Sequence, residues 1–276
     1  MRAALVQLTS SDDPERNLSV TRELVRAAAA QGAQFVLTPE VTNCVSGSRD
    51  RQRAVLRHEE DDITLASLRE EAATLGIWLL IGSLGIRTHD ADGRFANRSF
   101  LIARDGSVAA RYDKIHMFDV DVSATESYRE SNAYRPGTRA IVAPLGGTRI
   151  GMTICYDVRF PQLHRTLAKA GAEILTVPAA FTPVTGAAHW ETLLRARAIE
   201  TGCFVLAPAQ CGTHEVSEGP PRRTHGHSLA IGPWGEVLAD GGTAPGVTVV
   251  DLDLGAVKAA RARVPALWHD RVFDAP

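Results

Sequence analysis

A chain of 276 residues, 45% hydrophobic and 22% charged, has the composition of a soluble globular protein with a sizeable core. Its formal net charge of −2 offers no polyanion-binding surface and argues against nucleic acid as a partner, and no apolar run reaches membrane-spanning length. Four cysteines (Cys44, Cys155, Cys203 and Cys211) lack framework spacing, which points to reduced thiols and a cytoplasmic setting.

Residues 3–8 read as a buried strand. The polar stretch 10–17 predicts a loop, and 18–30 a helix with Gly32 as its C-cap. A second strand over 34–38 is ended by Pro39-Glu40, completing a β-α-β unit. That leaves a carboxylate at the C-terminal end of a strand, where open α/β sheets place their sites. A helix over 61–75, closed by Gly76, precedes a strand over 77–84. Strands 97–103 and 107–112 flank Arg104-Asp105-Gly106, a hairpin signal. Residues 114–136 are weakly periodic and predict a long functional loop. A second alternation follows: strand 149–154, helix 161–170, strand 173–177, helix 188–201, strand 203–207. Another loop, 212–226, holds Pro220-Pro221-Arg222-Arg223. A hairpin of 227–231 and 236–239 turns over Gly232-Pro233-Trp234-Gly235. A last strand over 246–253 leads into a short basic helix and an irregular tail. With no linker-like break, residues 1–276 read as one α/β domain that mixes parallel and antiparallel pairing.

The second alternation opens on Gly151-Met152-Thr153-Ile154-Cys155-Tyr156-Asp157-Val158-Arg159-Phe160-Pro161. A β-branched run stops at a cysteine, and Pro161 opens the next helix, where proline is well tolerated. Cys155 thus sits on a strand-to-helix elbow, where side chain and backbone N–H can face one ligand. For a lone cysteine, a buried structural role is the alternative. Glu40 and Lys114 also stand at strand ends. A carboxylate can take a thiol proton, an ammonium can stabilise an oxyanion, and a thiolate can attack a carbonyl. A Cys–His pair would have to use His116 or His164, and His164 falls on the helix after Pro161. Cys211, His214, His225 and His227 hold pieces of zinc-ligand spacing. The proline-rich segment between them favours structural roles instead. Asp157 and Arg159 read as a local ion pair buttressing the elbow, Glu191 and Arg195 as a helix-surface pair, and Trp190 as core.

Three segments carry a family likeness: Phe35-Val36-Leu37-Thr38-Pro39-Glu40, Arg111-Tyr112-Asp113-Lys114-Ile115-His116-Met117-Phe118-Asp119, and Cys155-Tyr156-Asp157-Val158-Arg159-Phe160-Pro161. They resemble, in the expected order, the signature segments of the nitrilase superfamily of carbon–nitrogen hydrolases. Ala187-Ala188-His189-Trp190-Glu191 looks like the Nit branch. Ala209-Gln210-Cys211-Gly212, Gly226-His227-Ser228 and Pro233-Trp234-Gly235 lean toward its deaminated-glutathione amidase members rather than its ω-amidases.

The resemblance implies a four-layer α-β-β-α sandwich, a homodimer or higher homo-oligomer, and amidase chemistry on a small amide, with no cofactor and no metal required. It implies Glu40 as the base, Cys155 as the nucleophile, and Lys114 with the Tyr156 N–H at the oxyanion. A second glutamate matches Glu130 rather than Glu126. Phe181 and Thr185 lie on the implied pocket wall, and Arg159 is a candidate substrate-carboxylate partner by composition. Arg222 and Arg223 are candidate carboxylate partners by composition, with surface solvation the simpler expectation. The implied substrate is deaminated glutathione, cleaved to 2-oxoglutarate and cysteinylglycine. Cleavage of 2-oxoglutaramate, N-carbamoyl amino acids or nitriles uses the same catalytic set and stays open, as does a catalytically silent binding protein on the same fold.

Overall fold

The computed structural model describes residues 1–123 and 126–274. Strand β1 (Arg2–Gln7) is buried almost throughout, so both its faces must be covered. Ala3 and Leu5 point into a cluster shared between two sheets, whereas Ala4 and Val6 pack beneath helices. Helix α1 (Pro14–Ala30) starts earlier than its apolar spacing suggests. Asp13 caps it by accepting from the Glu15 and Arg16 N–H groups, and Pro14 fits the first turn. After β2 (Phe35–Leu37) comes α2 (Arg49–Val55), a helix too short and too charged to show a periodic apolar face, capped by Ser48. Helix α3 (Ile63–Leu75) begins on the Asp62 cap and ends at Gly76, whose φ of 64° closes it.

Strands β3 (Trp78–Arg87), β4 (Phe95–Ile102) and β5 (Val108–Asp113) follow, the last two joined over Gly106 as expected. The segment 114–136, expected as loop, instead folds a small hairpin, β6 (Asp119–Ser123) with β7 (Glu126–Arg129), and a 3-10 turn over Glu130–Asn132. Strands β8 (Ile141–Leu145) and β9 (Thr148–Met152) lead to α4 (Pro161–Lys169), β10 (Ile174–Thr176), α5 (Pro183–Thr201) and β11 (Phe204–Ala207). The second expected loop also contains a hairpin, β12 (Cys211–Thr213) with β13 (Arg223–His225). The chain finishes with β14 (Leu229–Ile231), β15 (Val237–Asp240), β16 (Gly246–Asp251) and α6 (Gly255–Arg263).

Two six-stranded sheets result, ordered β16-β1-β2-β3-β4-β5 and β15-β14-β11-β10-β9-β8. Helices α1 and α3 cover the first and α4 and α5 the second, giving the α-β-β-α layers that the resemblance implies. Close layering depends on glycine at two points. A Cβ at Gly151 would sit 2.9 Å from Leu167 Cβ of α4, and one at Gly82 would sit 1.9 Å from the Thr38 carbonyl oxygen and 2.6 Å from Pro178 of the opposite sheet. Within the first sheet β2 and β3 are parallel, and two antiparallel steps make β5 run the same way. The residues after β2 and β5 therefore emerge on one edge, facing those after β9 and β10. Among the described residues, no helix is long and apolar enough to cross a membrane.

Two histidines are held neutral inside this fold. His164 is fully buried on α4, and His214 gives both ring nitrogens to neutral partners, Ser10 O at 2.7 Å and Thr224 Oγ1 at 2.8 Å. Burial pushes each down from 6.5 to about 4. A folded-state pKa below the unfolded one gives stability that is present above pH 6.5 and lost as pH falls toward 4, about 3 kcal/mol per histidine at the limit. Urea midpoints should therefore drop between pH 7 and pH 5, before carboxylates titrate; level midpoints would show that these rings protonate freely in the folded state.

Candidate active site

The elbow begins where β9 ends. Cys155 adopts φ +49°, a left-handed conformation uncommon for a side-chain-bearing residue, and donates its N–H to Pro178 O at 2.8 Å. A 3-10 turn over Cys155–Arg159 follows. Its organiser is Asp157, wholly buried. Oδ2 accepts from the Tyr112 hydroxyl at 2.7 Å and the Ile154 N–H at 2.9 Å, and Oδ1 accepts from the His116 N–H at 3.0 Å, with His116 Nδ1 2.7 Å away. Asp157 therefore clips the cysteine elbow to the strand that leads into Lys114. The expected Asp157–Arg159 pair does not form. The carboxylate is already saturated inside, and Arg159 turns outward over the Tyr156 and Phe181 rings to reach His189 Nδ1 at 3.2 Å.

Facing the elbow is a buried charge cluster. Lys114 Nζ donates to Glu40 Oε1 at 2.8 Å and to Glu130 Oε1 and Oε2 at 3.0 and 2.9 Å. Lys114 and Glu40 are 2% and 4% exposed, and ions so dry persist only when paired. The remaining acceptor positions are filled too. Asn97 Nδ2 donates to Glu40 Oε1 at 2.9 Å and Glu130 Oε1 at 3.2 Å, the Ala180 N–H donates to Glu40 Oε2 at 2.9 Å, and the Phe118 N–H donates to Glu130 Oε2 at 2.7 Å. Glu130 is thus the second carboxylate on the lysine; the side chain of Glu126, its rival by sequence, lies outside the described residues.

Electrostatics assigns protons within the cluster. Burial alone would raise Glu40, but the charge and hydrogen bond of Lys114, with a hydrogen bond from Cys155, outweigh it and hold the carboxyl below its usual range. Burial, then the adjacent Glu40 charge, pushes the Cys155 thiol well above 9. Lys114 is raised because Glu130 and Glu40 overcome its desolvation. At neutral pH the set is carboxylate, ammonium and neutral thiol. The residue after Glu40, Val41, is held at φ +48° with its N–H on Ser83 Oγ at 2.8 Å, so strained backbone flanks the site on both sheets.

These groups line a cavity of about 560 Å³. Tyr156, Phe181 and Thr185 join Glu40, Lys114, Glu130 and Cys155 on its wall, whereas Arg159 packs behind two of the lining rings. Arg222 lines the cavity and is not a solvated surface residue; Arg223 is exposed. His116 stacks on Phe160 at 3.5 Å and belongs to Asp157, and His164 faces Phe160 O, so neither serves as a base for Cys155. The zinc-like spacing does not assemble: His214 is spent on Ser10 and Thr224. Among the described residues, the one group of His and carboxylate side chains close enough to share a cation is His58, Glu60 and His89, outside this cavity. Sequence reasoning missed Asn97, an amide beside Arg98 and Ser99 in a short polar stretch of a strand, where nothing marks it out.

The family model for carbon–nitrogen hydrolases matches residues 2–262. The chain belongs to this family. The hydrolase is 39% identical to the deaminated glutathione amidase of Yersinia enterocolitica, covering 97% of this chain and 92% of that one, and 38% identical to its Homo sapiens counterpart, covering 97% and 81%. In structure it is similar to the Caenorhabditis elegans NitFhit protein, with a TM-score of 0.89 at 34% identity, covering 98% of this chain and 65% of that one. It is also similar to an amidase from Nesterenkonia sp. AN1, with a TM-score of 0.77 at 29% identity, covering 97% and 99%. That amidase was captured, as a glutamate-to-glutamine variant, with acrylamide added to its active-site cysteine.

Asp157→Asn places an NH₂ against at least one donor of the clip. The hydrolase variant should lose about 1–3 kcal/mol of stability, read as a lower urea midpoint, together with turnover; unchanged values in both assays would show that Asp157 does not couple elbow to lysine.

Proposed function

We propose that this hydrolase is an amidase that cleaves deaminated glutathione through a thioester on Cys155. The observation that carries the reading is one ionised carboxylate, Glu40, in contact with both a neutral buried thiol and a paired ammonium. The relatives named for this activity add support, since they match nearly the whole chain. So does the Nesterenkonia amidase, whose cysteine takes up a small electrophilic amide.

In this mechanism the raised thiol pKa leaves little resting thiolate, so Glu40 accepts the proton as sulfur attacks the amide carbonyl. Lys114 and the Tyr156 N–H hold the oxyanion, each donor worth about 3–4 kcal/mol. Glu130 and Asn97 fix the lysine and the base. As the intermediate collapses, Glu40 returns the proton to the departing amine, which leaves as cysteinylglycine. Water then gives a proton to Glu40 while its oxygen attacks the thioester, releasing 2-oxoglutarate and restoring the thiol. Phe181 and Thr185 flank the acyl portion, and Arg159 braces that wall. Four buried free cysteines support a reducing, cytoplasmic setting. A homodimer or higher homo-oligomer is supported by Val184 and Ile199 of α5, which stand 59% and 58% exposed on the outer layer.

The test is turnover of deaminated glutathione, 2-oxoglutaramate, an N-carbamoyl amino acid and a simple nitrile, followed by mass spectrometry. The first should yield both products, Cys155→Ala should abolish them, and Glu40→Gln should cut kcat by about 10²–10⁴. Turnover confined to another compound would reject the substrate, and turnover surviving in Cys155→Ala would reject the nucleophile. Sedimentation at micromolar concentration should give a species at least twice the monomer mass; a monomer there removes the oligomer from the proposal.

A further inference from the structure

Arg222 is a cation on the cavity wall whose charge helps hold Glu40 ionised but which, among the described residues, forms no ion pair. It sits at the end of the segment between β12 and β13, which is tied down at several points. The His214 N–H donates to Arg222 O at 2.9 Å, Asp12 Oδ2 accepts from the N–H and hydroxyl of Ser217 at 2.7 Å each, Ser48 Oγ donates to Glu218 at 2.8 Å, and Arg16 pairs with Glu215. The guanidinium therefore has little freedom to swing away. Its Nη2 donates to Ala180 O at 2.6 Å, and its plane lies over Tyr128, 5.6 Å from the ring centroid. Its Nε is buried with no hydrogen-bond partner, and among the described residues no carboxylate is within ion-pair distance of it. Arg129, also on the cavity wall, is by contrast paired with Asp121.

A buried guanidinium edge with an unmet donor is incomplete until an anion arrives, and its fork fits a carboxylate in two-point fashion. Position says which part of the substrate brings that anion. Ala180, whose carbonyl Arg222 holds, gives its N–H to Glu40, the group that returns a proton to the departing amine. We propose that Arg222 is the specificity residue for a carboxylate on the leaving amine, with Arg159 left to the acyl side. The inference rests on the amidase reading above and narrows it to amides whose amine half is itself an acid.

Three substrates with one acyl group separate the possibilities: deaminated glutathione, the same compound with its glycine carboxylate converted to carboxamide, and 2-oxoglutaramate, which releases ammonia. The wild type should favour the carboxylate over the carboxamide in kcat/KM, chiefly through KM. Arg222→Gln should shrink that preference about 10- to 100-fold, and Arg222→Lys should retain part of it because charge survives without the fork. A wild type indifferent to the carboxylate overturns the inference while leaving the amidase reading intact. An equal loss on all three substrates in Arg222→Gln also overturns it, assigning Arg222 to support of Glu40. Turnover of 2-oxoglutaramate alone by the wild type rejects the deaminated-glutathione reading and the leaving-side anchor with it.

Discussion

An ammonium ion removed from water must find its counter-charges inside the protein, and Lys114 finds two. Glu40 and Glu130 neutralise it, and every further contact in the cluster exists to satisfy what those carboxylates leave open. Removing one partner of so buried a pair typically costs about 3–5 kcal/mol, so the cluster constrains structure as strongly as chemistry. The arrangement also divides labour by environment. The same burial that would neutralise an isolated glutamate is overruled at Glu40 by the lysine, and at Cys155 it is reinforced by the glutamate. One site thereby holds an ionised carboxylate beside a thiol that stays protonated.

Two layers of the sandwich contribute to that site, which explains the strain around it. Glu40 and Lys114 follow strands of one sheet, Cys155 and Ala180 follow strands of the other, and the gap is bridged by side chains and by peptide N–H groups. Val41 and Cys155 are both forced into left-handed backbone geometry. Residues in such conformations persist only where surroundings over-determine them. Here the Ser83 hydroxyl, the Pro178 carbonyl and the four contacts of Asp157 do so.

The alternating strands and helices of both halves were legible because their apolar periods recur and their ends carry strong punctuation, such as Gly76 or Pro161. The β6–β7 and β12–β13 hairpins were not, since strands of three to five residues, even with the brief Asp–Val alternation of β6, are too short to establish a period. Glu40, Lys114 and Cys155 stood out through their flanking segments, and Glu130 through its place between lysine and cysteine. Asn97 did not, and Arg222, a candidate by composition, was read as surface, for different reasons. An amide inside a strand gives no hint of which carboxylates lie across from it. An arginine in a proline-rich loop looks solvated until the loop's anchors turn it inward. Asp157 was noticed but given the wrong partner, because proximity in sequence favoured Arg159 while the fold supplied Tyr112 and His116 from far along the chain.

The pairing of β1 with β16 bears on how the molecule is made. Arg2 lies opposite Asp251 in that ladder, and the Met1 amino group donates to Leu252 O at 2.9 Å. One flank of the first sheet is thus closed by residues some 250 positions apart. During synthesis β1, β2 and β3 can associate early, yet β1 keeps an unpaired, strongly apolar ladder until β16 has left the ribosome. Nascent chains stalled short of that point would already encode Glu40, Lys114, Glu130 and Cys155 while the first sheet still lacked its last strand. Closing that edge is a contact of very long sequence separation, the kind whose loop-closure entropy slows folding.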